Sequence, residues 1–432
     1  MQRILLVSHV FPPLVAGGAP RMGQFARMLP DVGWEVTALT AKHGIAIDSA
    51  EVAAIASRAR IVEAWSPITS LSLRGKTVPK QGWKGRTHRL ARTILQAVVF
   101  PDREVGWFPQ ALVAGRRVLR DQRHDVVFAS YGPGTNLLVG WRLAKEFRLP
   151  LVVDFRDLWS TLPMDVAFST PIHRRLVRRL ERAIVRDASR LVAVAPKMAE
   201  ALATTHDLPA SRAISITNGF DPADIERVYD ARTAGQRPFR LMYAGSVHAH
   251  YDFTPLWQAL RALKDCGTIS SSTFRVEFIG NLGMEDPEHH GVADLVETRP
   301  FVARSMVFDE LARADAFLVV ETPGYYAEYG YAAKVFDYLL TGKPVVALVD
   351  LNGNTSRLLT HAGVGLVVEH RDARGVRHAV ELALARRGES PRDVNVDAEP
   401  FRSFNRRHLV ATLGGLLDDV VTSEPQGRWS KP

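Results

Sequence analysis

Residues 319–344 read VVETPGYYAEYGYAAKVFDYLLTGKP, and the fold class follows from them. An apolar run closes at Glu321, and a loop with Pro323, Gly324 and Gly330 follows. A helical pattern then spans residues 332–340, and Gly342 and Pro344 stop it ahead of a second apolar run at 345–349. Near-continuous apolar strands separated by helices belong to parallel sheets covered on both faces, because each strand must bury both of its sides. Ligands of such sheets sit beyond the carboxyl ends of the strands, so the loop from Glu321 to Lys334 is where chemistry is expected.

The same alternation extends in both directions. Upstream, short apolar runs at 4–7, 36–39, 126–129, 151–153, 191–194 and 214–217 are separated by helical patterns such as 21–29 and 172–186. It pauses at the turn cluster from Asn218 to Pro222 and at the polar stretch 231–238, then resumes at 241–243, 276–279, 316–320, 345–349 and 365–368. This predicts two Rossmann-like, doubly wound α/β domains facing each other across a cleft. The expected bounds are 1–220 and 239–400, with a linker at 221–238, and in 401–432 a helix that returns to the first domain before a polar, frayed tail. No internal repeat with a period of 20–50 residues is present.

Of the 432 residues 46% are hydrophobic and 23% charged, ordinary globular usage that excludes disordered and fibrous classes. Lys and Arg number 55 against 46 acidic residues, and the surplus of +9 favours phosphate-rich partners without choosing among them. A single cysteine, Cys266, excludes a disulfide framework and a cysteine-rich metal site, and is expected as a small buried hydrophobe in a reducing compartment. The apolar run at 4–7 is too short for a signal-peptide core, and no run approaches the ~18 residues of a membrane span. The expectation is a cytoplasmic protein, attached at most to the cytoplasmic face of the inner membrane.

Three clusters follow strands. Gly17 and Gly18 follow the first strand and precede a helix, so their backbone amides suit close approach to a phosphate; a plain flexible loop fits the same spacing. The pattern is not Gly-x-Gly-x-x-Gly, and no Gly-Lys-Ser/Thr loop is present, so neither a nicotinamide site nor that phosphate loop is supported. After the strand at 151–153, Asp154, Arg156 and Asp157 offer groups for an acceptor hydroxyl or a proton transfer, or a structural ion pair that pins the loop. In the opening stretch, Lys334 adds a full positive charge at the start of a helix, and Asp337 lies on the same face, placed for ribose hydroxyls or for an ordinary i,i+3 pair.

At these residues the sequence resembles the retaining glycosyltransferases of family four, which have the GT-B fold. The resemblance runs from Gly17–Gly18 through Gly33–Trp34, Pro101–Asp102, the run from Asp154 to Trp159, Asn218–Gly219, Tyr243–Ala244–Gly245, Phe278–Ile279–Gly280 and Ala314–Asp315 to the segment from Lys334 to Pro344. It is similar to bacterial members from polysaccharide and exopolysaccharide assembly. The resemblance implies a UDP- or GDP-type sugar donor, a glycan or polyprenyl-diphosphate-linked acceptor, retained anomeric configuration, no cofactor and no obligatory metal. It implies that Gly17, Gly18 and Gly245 approach the diphosphate or donor sugar, and that Gly280, Phe301 and Val302 line the base. Amides of Gly330, Tyr331, Ala332 and Ala333, with Lys334, would hold the diphosphate, and Asp337 the ribose. Arg156 and Asp157 would face the reacting sugar and the acceptor, with Glu328 and Lys334 also in catalytic positions.

The chain departs from the family at two places. Eight residues before Asp337, where the family has an acid, stands Tyr329; Glu328 is one position out and Glu321 further away. After Tyr243–Ala244–Gly245, where many members gain a cation, stand Ser246, His248 and His250. These departures motivate an alternative, a degenerate GT-B protein that serves as a non-catalytic scaffold; a nucleotide-sugar 2-epimerase is a further one.

Two basic clusters mark the first domain. One holds Arg74, Lys76, Lys80, Lys84, Arg86, Arg89 and Arg92; the other, at helical spacing, holds Arg174, Arg175, Arg178, Arg179, Arg182 and Arg186. Each cation near an anionic leaflet contributes about 1 kcal/mol, so these suit a peripheral membrane contact as well as a solvated face. Nucleic acid is not an expected partner, since no recognised module is present.

Overall fold

The computed structural model describes residues 1–14, 18–42, 49–66, 99–162, 170–225, 237–245, 247, 251–280, 282–283, 287–302 and 304–423. The chain divides into two compact units, Met1–Ile216 with Val410–Pro432, and Thr217–Leu409.

The first unit holds a parallel sheet in the order β3-β2-β1-β4-β5-β6-β7. Its strands are β1 (Gln2–Val7), β2 (Trp34–Ala41), β3 (Ala59–Ala64), β4 (Val126–Ser130), β5 (Leu151–Phe155), β6 (Arg190–Ala193) and β7 (Ala213–Ser215). The order reverses between β1 and β4, the kind of switch point at which α/β sheets bind ligands. Register brings Val7 beside Ala129, and Ser130 beside Asp154, so the loops after β1, β4 and β5 emerge side by side.

The second unit repeats the plan with β10-β9-β8-β11-β12-β13, all parallel. These are β8 (Phe239–Ala244), β9 (Phe274–Ile279), β10 (Val296–Arg299), β11 (Ala316–Val320), β12 (Val345–Val349) and β13 (Gly365–Glu369). Alternate residues of one strand serve two cores: Leu318 and Val320 join the cluster around Trp257 and Phe278, whereas Phe317 and Val319 join that around Phe336 and Tyr338. Burial on both faces is why these strands read as unbroken apolar runs.

Two strands, β3 and β10, have no counterpart among the expected runs. Both are edge strands with alternating or partial burial, and an edge exposed to water needs no apolar run.

Boundaries shift as well. The second unit begins at Thr217, ahead of the expected boundary after 220, because Phe220 is fully buried in that unit's core and exchanges backbone hydrogen bonds with Phe404 and Arg406. The segment 401–409 also lies in the second unit; the helix Arg406–Ser423 joins the first only from Val410. The expected linker lies largely outside the described residues. Cys266 is exposed at the end of the helix Thr254–Asp265, contrary to expectation, with its thiol 3.1 Å from the Thr268 hydroxyl. Among the described residues no helix is long and apolar enough to cross a membrane.

Candidate functional site

In the first unit the carboxyl end of β5 divides its three polar residues between two tasks. Asp154 is fully buried and structural: Arg21 of the helix Ala19–Met28 donates to it at 2.8 Å, and the Ser130 hydroxyl at 2.7 Å. Its partner is therefore Arg21 and not the adjacent Arg156. Arg156 instead donates from Nε to the Tyr131 carbonyl at 2.6 Å and from Nη2 to the Gly132 carbonyl, and its guanidinium lies directly against Gly18. A Cβ at position 18 would overlap the guanidinium where it stands, so a larger residue there would displace Arg156. Desolvation lowers the pKa of Arg156, against the pull of Asp154 and Asp157, yet an arginine stays charged. Burial pushes the Asp157 carboxyl up to about 6, with Arg156 acting in the opposite sense. Gly18, Arg156 and Asp157 are placed at one end of the first sheet, as the sequence suggests; Gly17 lies outside the described residues.

The second unit gathers its site around Lys334. The helix expected over 332–340 contracts to Val335–Leu339, and Lys334 caps it without a side-chain capping bond. The Lys334 Nζ lies 3.5 Å from the centre of the Tyr243 ring and 5.9 Å from that of Tyr251. Its aliphatic end passes 3.5 Å from the position a Cβ would take on Gly245. Among the described residues no hydrogen-bond or ion-pair partner meets this ammonium, and desolvation pulls its pKa down to about 7, resisted by Glu321. A cation–π contact stabilises a charge by roughly 0.5–2 kcal/mol, less than the burial costs it, so the lysine is a cation short of an anion.

Glycines make room for this arrangement. Gly245 and Gly280, at the ends of β8 and β9, have φ of +131° and +136°. A Cβ on Gly280 would meet the Gly245 carbonyl oxygen at 2.5 Å and the Phe301 ring at 3.0 Å. The Phe301 ring thus rests on a glycine platform while 59% exposed, and Val302 packs into the core behind it.

Two of the loop amides expected at a diphosphate are hydrogen-bonded within the protein. The Gly330 amide donates to the Tyr326 carbonyl at 3.0 Å, and the Ala332 amide to the Thr355 hydroxyl at 3.0 Å, so neither is available to a diphosphate as the chain stands. The Tyr331 ring packs on Phe336 and Phe404, at 5.6 Å from each. Ala333 is exposed in the turn beside Lys334. Asp337 is partly buried within the short helix. Glu328 is exposed on the helix Tyr325–Tyr329, its backbone tied to Gly324 and Asn354.

The acid within electrostatic reach of Lys334 is Glu321, at the end of β11 and 5% exposed. Burial pushes its carboxyl up to about 7, with the Thr355 hydrogen bond and Lys334 acting in the opposite sense and Asp350 adding to the rise. The sequence does not single it out, because Glu328 lies nearer the family spacing. The signal was its place directly after the strand, where a charged residue closes an apolar run. Burial raises the phenols of Tyr243 and Tyr251, so both rings stay neutral beside the lysine. Ser246, His248 and His250 lie outside the described residues.

The comparisons with known proteins fit this geometry. Residues 16–219 match the family described as the glycosyl transferase 4-like domain. Beyond it, the whole chain aligns with solved structures. A sucrose-phosphate synthase from Thermosynechococcus elongatus is similar at 15% identity and TM-score 0.63, with 98% of this chain and 100% of that one covered. A glycosyltransferase from Rickettsia africae is similar at 12% identity and TM-score 0.61, with 98% and 99% covered. A trehalose-6-phosphate synthase from Burkholderia multivorans is similar at 12% identity and TM-score 0.54, with 98% and 96% covered. No curated protein matches the sequence significantly. The chain has a GT-B fold, with two Rossmann-like domains.

Proposed function

We propose that the chain transfers a sugar from a UDP- or GDP-type donor to a glycan or lipid-linked saccharide, with retention of configuration. The observation that supports this best is Lys334: a partly buried ammonium on the face of Tyr243, with no hydrogen-bonded anion among the described residues, at the carboxyl end of a parallel sheet. The family match of residues 16–219 points the same way.

In this reading the donor diphosphate meets Lys334, the base stacks on the exposed Phe301 ring above Gly280, and Asp337 meets the ribose. When the bond between the anomeric carbon and the diphosphate breaks, charge grows on the departing oxygen. A fixed cation in a dry setting favours that state over the ground state, and removal of one such group from an active site costs about 10²–10³ in kcat. The first unit supplies the acceptor side. Arg156, held by two carbonyls, offers a fixed positive charge, and Asp157, poised near neutrality, orients the acceptor hydroxyl. A non-catalytic binding role is the second reading, favoured by the two loop amides that are already engaged.

A membrane-facing acceptor suits the helix Pro171–Asp187. It buries His173, Val177, Glu181, Ile184 and Val185, and turns Arg175, Arg178, Arg179, Arg182 and Arg186 outward beside Ile172 and Leu176, which are 73% and 42% exposed. Cations with apolar side chains among them are what an anionic leaflet attracts. The cluster from Arg74 to Arg92 lies outside the described residues.

The test is nucleotide release by purified protein from UDP-, GDP- and dTDP-sugars, with an acceptor extract, beside Lys334→Ala. Release from one donor, reduced about 10²–10³-fold in the variant, is expected. Undiminished release by Lys334→Ala would refute the site, and nucleotide binding without release would favour the non-catalytic reading.

A further inference from the structure

We infer that Glu321 reads a hydroxyl of the transferred sugar through its unpaired carboxylate oxygen, as the specificity-determining acid of the donor site. This rests on the donor reading above and deepens it.

The two oxygens of Glu321 have different surroundings. Oε1 accepts from the Thr355 hydroxyl at 3.2 Å, and that hydroxyl in turn accepts from the Ala332 amide at 3.0 Å. One half of the carboxylate therefore fixes the loop that carries Lys334. Oε2 is buried with no hydrogen-bond partner among the described residues. A buried acceptor left unmade is costly, and native chains rarely keep one without a use.

The choice of occupant follows from charge. Lys334 interacts with Glu321 electrostatically without hydrogen bonding to it, and its ammonium is turned onto the Tyr243 ring. A diphosphate seated on Lys334 takes up that cation. A second anion at Oε2 would be repelled, by the carboxylate itself and by Asp350, which already acts on it. What remains for Oε2 is a neutral donor, and the part of a nucleotide-sugar that follows the diphosphate is a ring of hydroxyl groups. Glu328, exposed on its short helix, offers no such buried acceptor.

Glu321→Gln tests this. The amide keeps the shape and keeps an oxygen for Thr355, but replaces the free acceptor with a donor. The measurements are calorimetric affinities for bare UDP and GDP, and for UDP-glucose, UDP-galactose, UDP-N-acetylglucosamine and GDP-mannose. In Glu321→Gln the bare nucleotide should bind within about threefold of the wild type. The preferred sugar nucleotide should lose about ten- to a hundredfold, and selectivity among sugars should collapse. Equal loss on bare and sugar-bearing nucleotide, as Thr355→Val is expected to give by freeing the Ala332 amide, would show that Glu321 only fixes the loop and would overturn the inference. No loss on either would overturn it too, and leave a water at Oε2. If Glu321→Gln does not fold, Glu321→Asp, which withdraws the oxygen by one methylene, reads the same ratio. Wild-type protein that binds no nucleotide would overturn the donor reading, and the inference with it; binding of bare and sugar-bearing nucleotide with an unchanged ratio in the variant overturns the inference alone.

Discussion

Replacing Lys334 with arginine should abolish a pH dependence that the wild type must show. In the free protein, burial holds the Lys334 pKa at about 7. Such a group is about nine-tenths charged at pH 6 and about one-tenth charged at pH 8. A diphosphate selects the charged form, so affinity is full below pH 7 and is lost as pH rises through it. The expected weakening between pH 6 and 8 is about tenfold in Kd, or ~1.4 kcal/mol. Glu321, also near 7, loses its proton in the same window and adds like charge, which acts in the same direction. The two form a coupled pair, so the midpoint belongs to both. The phenols of Tyr243 and Tyr251, raised by burial, stay neutral throughout. Arginine remains charged at every pH in this range. Ionisation of the terminal phosphate is common to both proteins and cancels in their ratio. Calorimetry with UDP and GDP at constant ionic strength should therefore show the ratio of wild-type to Lys334→Arg Kd rising about tenfold from pH 6 to 8. A flat ratio would refute the placement of a desolvated lysine at the diphosphate.

Three further outcomes follow from other parts of the molecule. Gly18→Ala puts a methyl group where the Arg156 guanidinium lies, so turnover should fall at least tenfold while nucleotide affinity holds; unchanged turnover would remove Arg156 from the reacting end. Asp154→Ala removes the carboxylate from buried Arg21, which also donates to the neutral Ile216 carbonyl, and should cost about 3–5 kcal/mol of stability in denaturant titration, whereas a loss under 1 kcal/mol would mean that water reaches the pair. Changing Arg175, Arg178, Arg179, Arg182 and Arg186 to Gln should remove most binding to vesicles containing phosphatidylglycerol, at about 1 kcal/mol per charge, and leave zwitterionic vesicles unaffected; retained binding would locate any contact elsewhere.

Most of the architecture is legible in the sequence because nine of the strands lie inside the sheets, and the edge strands β7 and β13 still bury apolar residues. β3 and β10 are not, since Ala59–Ala64 and Val296–Arg299 face water along one edge. Lys334, Gly245 and Gly280 are legible from motif and position together. Glu321 is harder to find, because its importance comes from burial and from the Thr355 and Ala332 bonds, which join residues more than twenty positions apart. The pairing of Asp154 with Arg21, 133 residues away, is invisible to local spacing for the same reason. Helix length in the loop before Lys343 misleads in the opposite sense. The pattern 332–340 looks helical throughout, but its first residues form a turn, closed by the Val335 amide on the Ala332 carbonyl, and the helix itself is Val335–Leu339.

The measurement closest to the central claim is a calorimetric titration of UDP, GDP and dTDP into the wild type and into Lys334→Met, which keeps an unbranched side chain against Tyr243 and removes the charge. The account predicts that one nucleoside diphosphate binds the wild type and weakens at least tenfold in Lys334→Met. Binding of equal strength in both proteins, or none in either, would contradict it.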